Sequence, residues 1–366
     1  MTREHQSSVR SRTLASAAVA AAVVCATAIP AGAADGWTQL GDGFTSPLGL
    51  AVGDDGTLYV GEAFIGQLTA INKAGVRRTL AQAPEGSFLP GVEATGRGTV
   101  TYTVTLPPEF QDGPPAGTTL NRVLPNGKAT VLASMSGYEA DHNPDAGNSY
   151  GFVGVEQSCL DQLPTGPDAP PQPQPYPGLI DSDPYKIAID FDGSRIVADS
   201  AGNDLLRVAS NGQITTVAVF APIPQGPLPA EALAELGLPD CLAGTSYYSE
   251  PVPTDVEIGP DGNYYVTTLP GGPELPGFAT VYRVSRATGA ISPIVTGLSS
   301  AVDLAIDRDG TIYVAELFGN SIAVIKGGAV VDRIPIDSPG AVEIRGRTLY
   351  ATSGVFGNGS IVTRAL

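Results

Sequence analysis

One short phrase recurs along this chain: an apolar stretch, an Asp-Gly pair, and a second apolar stretch. The clearest copy runs from Val302 to Glu316, with Asp309-Gly310 at its centre. On both sides of the pair apolar residues alternate with others, which is typical of two strands joined by a tight glycine turn. Each copy therefore predicts one β-hairpin. The copies are centred on Asp55-Gly56, Gly98, Asp192-Gly193, Asp261-Gly262, Asp309-Gly310 and Gly346.

Most copies are followed by a third and a fourth strand-like run, so four strands recur about every 40 residues, the period of a propeller blade. The repeats predict an all-β, six-bladed β-propeller. Its last blade has strands near residues 341–344, 348–352 and 360–366 and then the sequence stops, one strand short. Residues 37–40, before the first copy, supply the missing strand and close the ring. A β-sandwich or a solenoid with coincidental turns is the alternative.

Residues 1–33 have the features of a secretory signal peptide. Three arginines lie among the first 12 residues, residues 14–29 are apolar, and Ala31-Gly32-Ala33 is a small-residue cleavage site. We expect cleavage near Ala33-Ala34, secretion of the chain, and one propeller domain over residues 34–366.

The chain is acidic, with 37 Asp and Glu against 20 Lys and Arg and a net charge of −17. Nucleic acids and anionic membranes bind basic patches, so neither is an expected partner. We expect a monomer, with no membrane insertion, that binds a small molecule, a glycan or a protein. Beyond residue 33 two cysteines remain, Cys159 and Cys241, and an even pair in an oxidising compartment predicts a disulfide.

Three insertions interrupt the repeats. Residues 136–180 lie between blades two and three and include a Pro-rich run at 166–175; residues 221–251 follow blade three; and residues 107–118 lie within blade two. In the second insertion, the spacing of Leu233 and Leu236 before Gly237 predicts one short helix over residues 229–238. Long loops on a rigid ring commonly carry function or act as lids.

Histidine is nearly absent beyond the signal peptide. His142 alone remains, in a polar, turn-rich segment at residues 138–145. A multi-histidine zinc site is therefore excluded, and any Ser-His-Asp arrangement would have to use this residue. His142 is either an exposed loop residue or a base or ligand above the ring. The sequence has no glycine-rich phosphate loop, GxSxG elbow or His-Glu zinc motif.

Carboxylates are the better candidates for a site. In a propeller the inner strands all begin at one mouth of the channel, so we expect Asp255 and Asp303, from neighbouring blades, to converge there with Lys186. Two carboxylates with carbonyls and waters form a ligand set for Ca²⁺ or another divalent cation. Alternatively both accept backbone hydrogen bonds at the strand starts. The candidate ligand-binding residues at this mouth are Glu139, His142, Asp145, Asp181, Asp183, Tyr185, Lys186, Asp255 and Asp303.

Several motifs resemble the ScyD/ScyE family of secreted proteins, over nearly the whole chain beyond the signal peptide. They are Tyr138-Glu139 with Asn143-Pro144-Asp145, Asp181-Ser182-Asp183-Pro184-Tyr185, the run from Val197 to Val208, and Val252-Pro253-Thr254-Asp255-Val256. The resemblance implies a six-bladed propeller of the NHL/gluconolactonase-like type and brings no established catalytic residues. Asp183 and Lys186 depart from it, since family members often have Asn and a small residue there.

Two functions follow as hypotheses, and whether the chain is an enzyme stays open. The first is a secreted binding or scaffold module that holds its ligand at one channel mouth. The alternative is a metal-dependent hydrolase or lactonase that resembles the SMP-30/gluconolactonase group, with Asp255 and Asp303 as metal ligands. A lyase resembling virginiamycin B lyase would need more catalytic histidine than this chain has. We expect binding.

Overall fold

The computed structural model describes residues 36–106, 117–164 and 174–366. The predicted signal peptide, residues 107–116 of the insertion in blade two and most of the Pro-rich run lie outside the described residues. Within them, six four-stranded antiparallel sheets form, one for each repeat. Strands are numbered along the chain, and each blade is given from its inner to its outer strand. Blade 1 consists of β2 (Pro47–Val52), β3 (Leu58–Glu62), β4 (Gln67–Ile71) and β5 (Arg77–Gln82), blade 2 of β6 (Val92–Ala94), β7 (Val100–Thr105), β8 (Thr118–Val123) and β9 (Ala129–Ser134), and blade 3 of β12 (Pro184–Ile189), β13 (Arg195–Asp199), β14 (Asp204–Val208) and β15 (Ile214–Val219).

Blade 4 consists of β18 (Pro253–Ile258), β19 (Tyr264–Thr268), β20 (Ala279–Val284) and β21 (Ile291–Leu298), and blade 5 of β22 (Ala301–Ile306), β23 (Ile312–Glu316), β24 (Ser321–Lys326) and β25 (Ala329–Pro335). Blade 6 consists of β26 (Val342–Arg345), β27 (Thr348–Ser353), β28 (Gly359–Ala365) and, as its outer strand, β1 (Thr38–Phe44).

The inner strands form a closed ring, because each contacts the inner strands of the blades before and after it, and β26 of blade 6 contacts β2 of blade 1. The core lies between neighbouring blades: Ile196 and Leu205 of blade 3 pack with Val256 and Val266 of blade 4. This is the predicted six-bladed β-propeller. We call the face where the inner strands begin the entrance face, and the opposite face, which carries the Asp-Gly turns, the exit face.

The Asp-Gly turns have the local geometry that the repeat predicts. Gly310 has a φ of 83°, a left-handed conformation that favours glycine, and all six turn glycines have φ between 65° and 83°. Asp309 Oδ1 accepts a hydrogen bond from the backbone N–H of Thr311 at 2.9 Å. The Asp307 N–H donates to the Thr311 carbonyl at 2.8 Å and closes the hairpin. Glycine conformation and an aspartate side chain therefore fix the four Asp-Gly turns locally, whereas the turns at Gly98 and Gly346 contain no aspartate.

The N-terminal strand closes the ring, as predicted. β1 is the outer strand of blade 6 and pairs antiparallel with β28, with Thr38 opposite Thr363 and Gln39 opposite Val362. Trp37 Nε1 donates a hydrogen bond to the Pro335 carbonyl of blade 5 at 3.1 Å. The two ends of the propeller thus belong to one sheet, which leaves β28 no free edge.

Two insertions meet on the entrance face beside blade 3, and we call their described residues 135–164, 174–183 and 221–252 together the cap. The predicted disulfide joins them, with the Cα atoms of Cys159 and Cys241 5.9 Å apart. Gly151 and Tyr248 exchange backbone hydrogen bonds of 2.8 and 2.9 Å. A separate apolar cluster that includes Phe152 packs inside the cap. The cap elements are α1 (Met135–His142), β10 (Ser149–Tyr150), α2 (Gln157–Leu160), β11 (Tyr176–Pro177), β16 (Ile223–Gln225), α3 (Ala230–Leu236) and β17 (Tyr247–Ser249).

The cap confirms one sequence prediction and corrects another. α3 is the predicted short helix, and it ends at Gly237 with a φ of 65°. The segment around His142 was expected to be turn-rich, but most of it is α1. Ser134 caps this helix by accepting a hydrogen bond from the Gly137 N–H, and Asn143 ends it in a left-handed conformation. The ends of α1 are set by polar capping residues, and the helix has no apolar stripe. The spacing of apolar residues therefore does not predict a helix here.

Candidate functional site

Three glutamates alternate with three alanines around the channel. Strand register places them at one equivalent position of the inner strands, which in blade order holds Ala51, Glu93, Ala188, Glu257, Ala305 and Glu343. Burial is the main cause that raises the pKa of all three glutamates well above the usual value, and other channel carboxylates add to it. The charge of Glu343 raises the pKa of Glu257, and the charge of Glu93 raises the pKa of Glu343, although their blades are not neighbours. The glutamates therefore face one another across the channel.

Lys186 crosses the channel near the entrance face. It belongs to blade 3, yet its Nζ donates to the Leu48 carbonyl of blade 1 at 2.5 Å and forms an ion pair with Asp303 of blade 5. The lysine is only 4% exposed. The Lys186 ammonium group thus places a positive charge of the protein among the channel carboxylates.

The two candidate metal ligands each join one inner strand to the next. Asp255 Oδ2 accepts from the Leu304 N–H at 2.7 Å, and Asp303 Oδ1 accepts from the Val342 N–H at 3.1 Å. Burial raises the pKa of both, while Lys186 opposes the rise. Both aspartates therefore accept backbone hydrogen bonds near the starts of inner strands, which is the alternative to metal binding that the sequence left open. In residues 36–106, 117–164 and 174–366, no three His, Cys, Asp or Glu side chains already converge as metal ligands do.

Aromatic side chains surround the entrance. The rings of Phe64 and Phe88 stack at 5.6 Å, and Phe88 lies 5.9 Å from the ring of Tyr185. In blades 5 and 6, Phe318 and Phe356 stack at 5.8 Å. Phe64, Phe318 and Phe356 are 52%, 45% and 56% exposed. The two groups are joined by a buried cluster that contains apolar residues of blades 1, 5 and 6 and packs against Phe88.

A second group of carboxylates lies off the axis, between the cap and blade 3. We call Glu139, Asp145, Asp181, Asp199 and Asp204 the acidic cluster. Asp145 Oδ2 accepts from the Tyr150 hydroxyl at 2.8 Å and from Asn203 Nδ2 at 3.0 Å. Asp199 accepts from the Ser182 hydroxyl at 2.6 Å and from the Asp183 N–H at 2.6 Å. The cap thus contacts blade 3 through acidic groups.

Burial and mutual repulsion raise the pKa values of Glu139, Asp181 and Asp204 in the acidic cluster. Burial, with the charges of Asp199, Asp145 and Asp181, raises the pKa of Glu139 to about 9. Burial, followed by the charges of Glu250 and three aspartates, raises the pKa of Asp181 to about 8. Desolvation also raises the pKa of Asp204 well above its usual value, and Asp199, Glu139 and Asp145 add to the rise.

The structure thus separates the predicted site residues into two groups. Tyr185, Lys186, Asp255 and Asp303 lie at the channel, whereas Glu139, Asp145 and Asp181 lie in the cap where it contacts blade 3. Asp183 stands between them; its Oδ1 accepts from the Thr105 hydroxyl at 2.6 Å, and burial raises its pKa to about 6. His142 is exposed, with its ring stacked on Tyr138 at 4.1 Å.

A third feature lies on the exit face. A cavity of about 480 Å³ between the turns of blades 1 to 3 is lined by Arg97, Arg122, Arg195 and Asp54, among other residues. Burial, and then the charge of Arg122, lowers the pKa of Arg195. The cavity is a small basic region of an acidic chain.

Sequence reasoning missed Asp199, Asp204 and the channel glutamates. An alignment of the six repeats would have revealed the alternation of Glu and Ala, because each glutamate occupies the same repeat position. Asp199 and Asp204 flank a short turn between paired strands, with Asp199 opposite Asp204. Nothing local marks that turn as a partner of residues 139–145.

Comparison with known proteins supports the fold. No family model matches the chain, and no curated protein matches it. Among the described residues no helix is long and apolar enough to cross a membrane. A gluconolactonase from Xanthomonas campestris is similar in structure, with a TM-score of 0.55 at 12% identity over 90% of this chain and 89% of that one.

Two other solved structures are similar at the same level. The PQQ-bound aldose sugar dehydrogenase of Streptomyces coelicolor gives a TM-score of 0.52 at 14% identity, over 91% of this chain and 98% of that one. A catalytically inactive variant of the virginiamycin B lyase of Staphylococcus aureus, solved with quinupristin, gives a TM-score of 0.51 at 15% identity, over 90% of this chain and 98% of that one. At such identities the likeness shows the fold and leaves the chemistry to this chain's own residues.

Proposed function

We propose that this chain is a secreted binding module that holds a small molecule or glycan at the entrance face, through a planar apolar part of the ligand. The observation that carries the proposal is the set of exposed aromatic rings, Phe64, Phe318 and Phe356, around an entrance that Lys186 crosses. Large aromatic groups left exposed together on one face mark binding surfaces. The resemblance to the ScyD/ScyE family, which brings no established catalytic residues, agrees with binding.

The alternative, a metal-dependent hydrolase or lactonase, is supported by the likeness of fold to the Xanthomonas campestris gluconolactonase. The channel supports it less. Lys186 already neutralises Asp303, and the backbone of the next blade occupies one oxygen of Asp255. A metal here would have to displace a buried lysine from two partners, which carries an unfavourable desolvation cost.

Fluorescence of 1-anilinonaphthalene-8-sulfonate, an anionic probe with apolar aromatic rings, tests the proposal. We expect the folded chain to bind the probe and the double variant Phe318→Ser/Phe356→Ser to bind it several-fold more weakly. The matched control is Phe191→Ser, which removes a phenylalanine that is 73% exposed on the exit face. Equal binding by all three proteins, or none by the wild type, would overturn the assignment to the entrance face.

An activity assay addresses the alternative. We expect no hydrolysis of gluconolactone with added Ca²⁺, Mg²⁺, Mn²⁺ or Zn²⁺. Turnover that disappears in the Asp255→Asn/Asp303→Asn variant would instead establish the metal-dependent enzyme.

A further inference from the structure

The acidic cluster, where the cap contacts blade 3, contains buried oxygens that no donor satisfies. They number six: Glu139 Oε1, Asn143 Oδ1, Asp145 Oδ1, Asp181 Oδ1 and both carboxylate oxygens of Asp204. Asp204 is fully buried, at 0% exposure, and Glu139 and Asp145 are each 1% exposed. A buried carboxylate without donors is strongly unfavourable unless a positive charge or a proton compensates it.

The described protein offers this cluster no positive charge. In residues 36–106, 117–164 and 174–366, none of the ion pairs involves a member of it. The channel shows the contrast, because there Lys186 reaches Asp303 from another blade. Asp199 also shows that lack of donors is not general in the cluster, since Ser182 and the Asp183 N–H satisfy it.

Two glycines lie against the segments that carry these residues, and Asn203, next to Asp204 in the chain, donates a hydrogen bond from its Nδ2 to Asp145 Oδ2 at 3.0 Å. Asn143 Nδ2 donates to the Gly178 carbonyl at 3.3 Å, and a Cβ on Gly178 would lie only 2.1 Å from Asp145 Oδ1. A Cβ on Gly202 would lie 3.4 Å from Glu139 Oε2 and 3.6 Å from the Asp181 carbonyl. The two glycines therefore let the backbone approach the cluster closely.

We propose that Glu139, Asn143, Asp145, Asp181 and Asp204 bind a divalent cation of the Ca²⁺ type. The donor set consists of oxygens alone, from carboxylates and one amide, and six is within the number that Ca²⁺ takes. Zinc and copper favour nitrogen and sulfur ligands instead.

Among the described residues no three His, Cys, Asp or Glu side chains are arranged as metal ligands, so the proposed binding requires these carboxylates to move towards one point. Four of the five ligands belong to the cap and Asp204 belongs to blade 3, so the cation fastens the cap to the ring. The site is separate from the entrance, and the inference does not depend on the proposed function.

Titration of the full chain with Ca²⁺, after removal of metal with a chelator, tests the proposal. We expect Ca²⁺ to raise the Tm by about 4 °C when its concentration is 100-fold above the Kd. Calorimetry gives the Kd, and elemental analysis of protein purified without chelator is expected to show close to one bound cation per chain.

The variant Asp204→Asn separates a cation site from a structural role. It keeps the shape and removes one buried charge, so we expect its metal-free Tm to equal or exceed that of the wild type. Its affinity for Ca²⁺ is expected to fall by at least about tenfold, because affinity follows the number of charged ligands. Asp141→Asn, an exposed change on the same helix as Glu139, is expected to respond to Ca²⁺ as the wild type does.

Two results would overturn the proposal. One is a wild type whose Tm and heat of mixing do not respond to millimolar Ca²⁺, Mg²⁺ or Mn²⁺. The other is an equal response of the Asp204→Asn and Asp141→Asn variants. Glu139→Gln repeats the test if Asp204→Asn does not fold, and an unaltered affinity in that variant counts against the site.

Discussion

Lys186 and Asp303 illustrate at the residue scale how the ring uses a buried ion pair. The side chains are 5% and 7% exposed, and the lysine also binds the Leu48 carbonyl. Three blades that are not neighbours are thus tied together at one ammonium group. Such a pair is costly to desolvate, and it is costlier still to break on one side only, because a lone buried charge remains.

We predict that Lys186→Met destabilises the protein by about 3–5 kcal/mol, because it leaves the Asp303 carboxylate buried without its cation. Urea unfolding measures the loss. Lys73→Met removes an exposed lysine and is expected to change the free energy of unfolding by less than about 0.5 kcal/mol. The double variant Lys186→Met/Asp303→Asn is expected to recover part of the loss. Equal stability of the two single variants would contradict the prediction.

The channel glutamates predict a dependence of stability on pH. Burial raises the pKa of Glu257 in the folded state above the value of about 4.3 in an unfolded chain. Below that unfolded pKa both states are protonated and the full contribution to stability is present. As the pH rises, the unfolded chain releases its proton first, so stability falls with increasing pH.

Glu257→Ala places in blade 4 the residue that blades 1, 3 and 5 have at this position. We expect it to raise the Tm at pH 8 and to flatten the fall in Tm between pH 5 and pH 8. Thermal unfolding at several pH values measures both effects. The exposed Glu85→Ala is the control for the change in net charge, and a slope equal to its slope would show that Glu257 contributes nothing.

At the scale of elements, β1 stabilises the ring mainly through its last residue. Most of the strand is exposed, but Phe44 is 2% exposed and packs between blades 6 and 1, with the Arg77 guanidinium 4.1 Å from its ring centre. Edge protection and burial are therefore separate contributions of one strand.

We predict that Phe44→Ala costs about 3–5 kcal/mol, the usual loss for a buried phenylalanine. Leu40→Ala, on the same strand but 47% exposed, is expected to change stability by no more than about 0.5 kcal/mol. Denaturant unfolding compares the two variants. A small loss for Phe44→Ala would mean that β1 contributes little to ring closure.

The disulfide acts on the cap, because both cysteines belong to it. Its sequence separation is 82 residues, for which chain entropy gives a stabilisation of about 4.5 kcal/mol as an upper value. We predict that Cys159→Ala/Cys241→Ala speeds hydrogen exchange of the Gly151 and Tyr248 amides and leaves that of Val266 in blade 4 unchanged. Faster exchange of Val266 as well would show that the bond supports the whole ring.

At the scale of the whole molecule, residues 1–33 and the propeller have separate predicted roles, in export and in binding. We predict that a bacterial host with a general secretory pathway releases a chain that begins near Ala34, as N-terminal sequencing of the exported protein would show. A version without residues 2–33 is the control and is expected to stay inside the cell. An exported chain that retains its first residues would contradict the cleavage site.

The sequence by itself determined the ring. A blade is specified by short-range signals, namely alternation of apolar residues and a glycine turn such as Asp309-Gly310, and these are complete within about 40 residues. The surplus strand near Trp37 and the two remaining cysteines also fixed the closure and the disulfide, since each had one available partner.

Only the tertiary structure decided which charges meet. Glu139 and Asp204 are far apart in the chain, and Lys186 reaches Leu48 and Asp303 across the channel. Coulomb and desolvation energies depend on distance in space and on burial, and neither is recorded in the spacing of residues along the chain. The hairpins could therefore be predicted from local pattern, whereas the division of the carboxylates between a lysine-bridged channel and an acidic cluster where the cap contacts blade 3 could not.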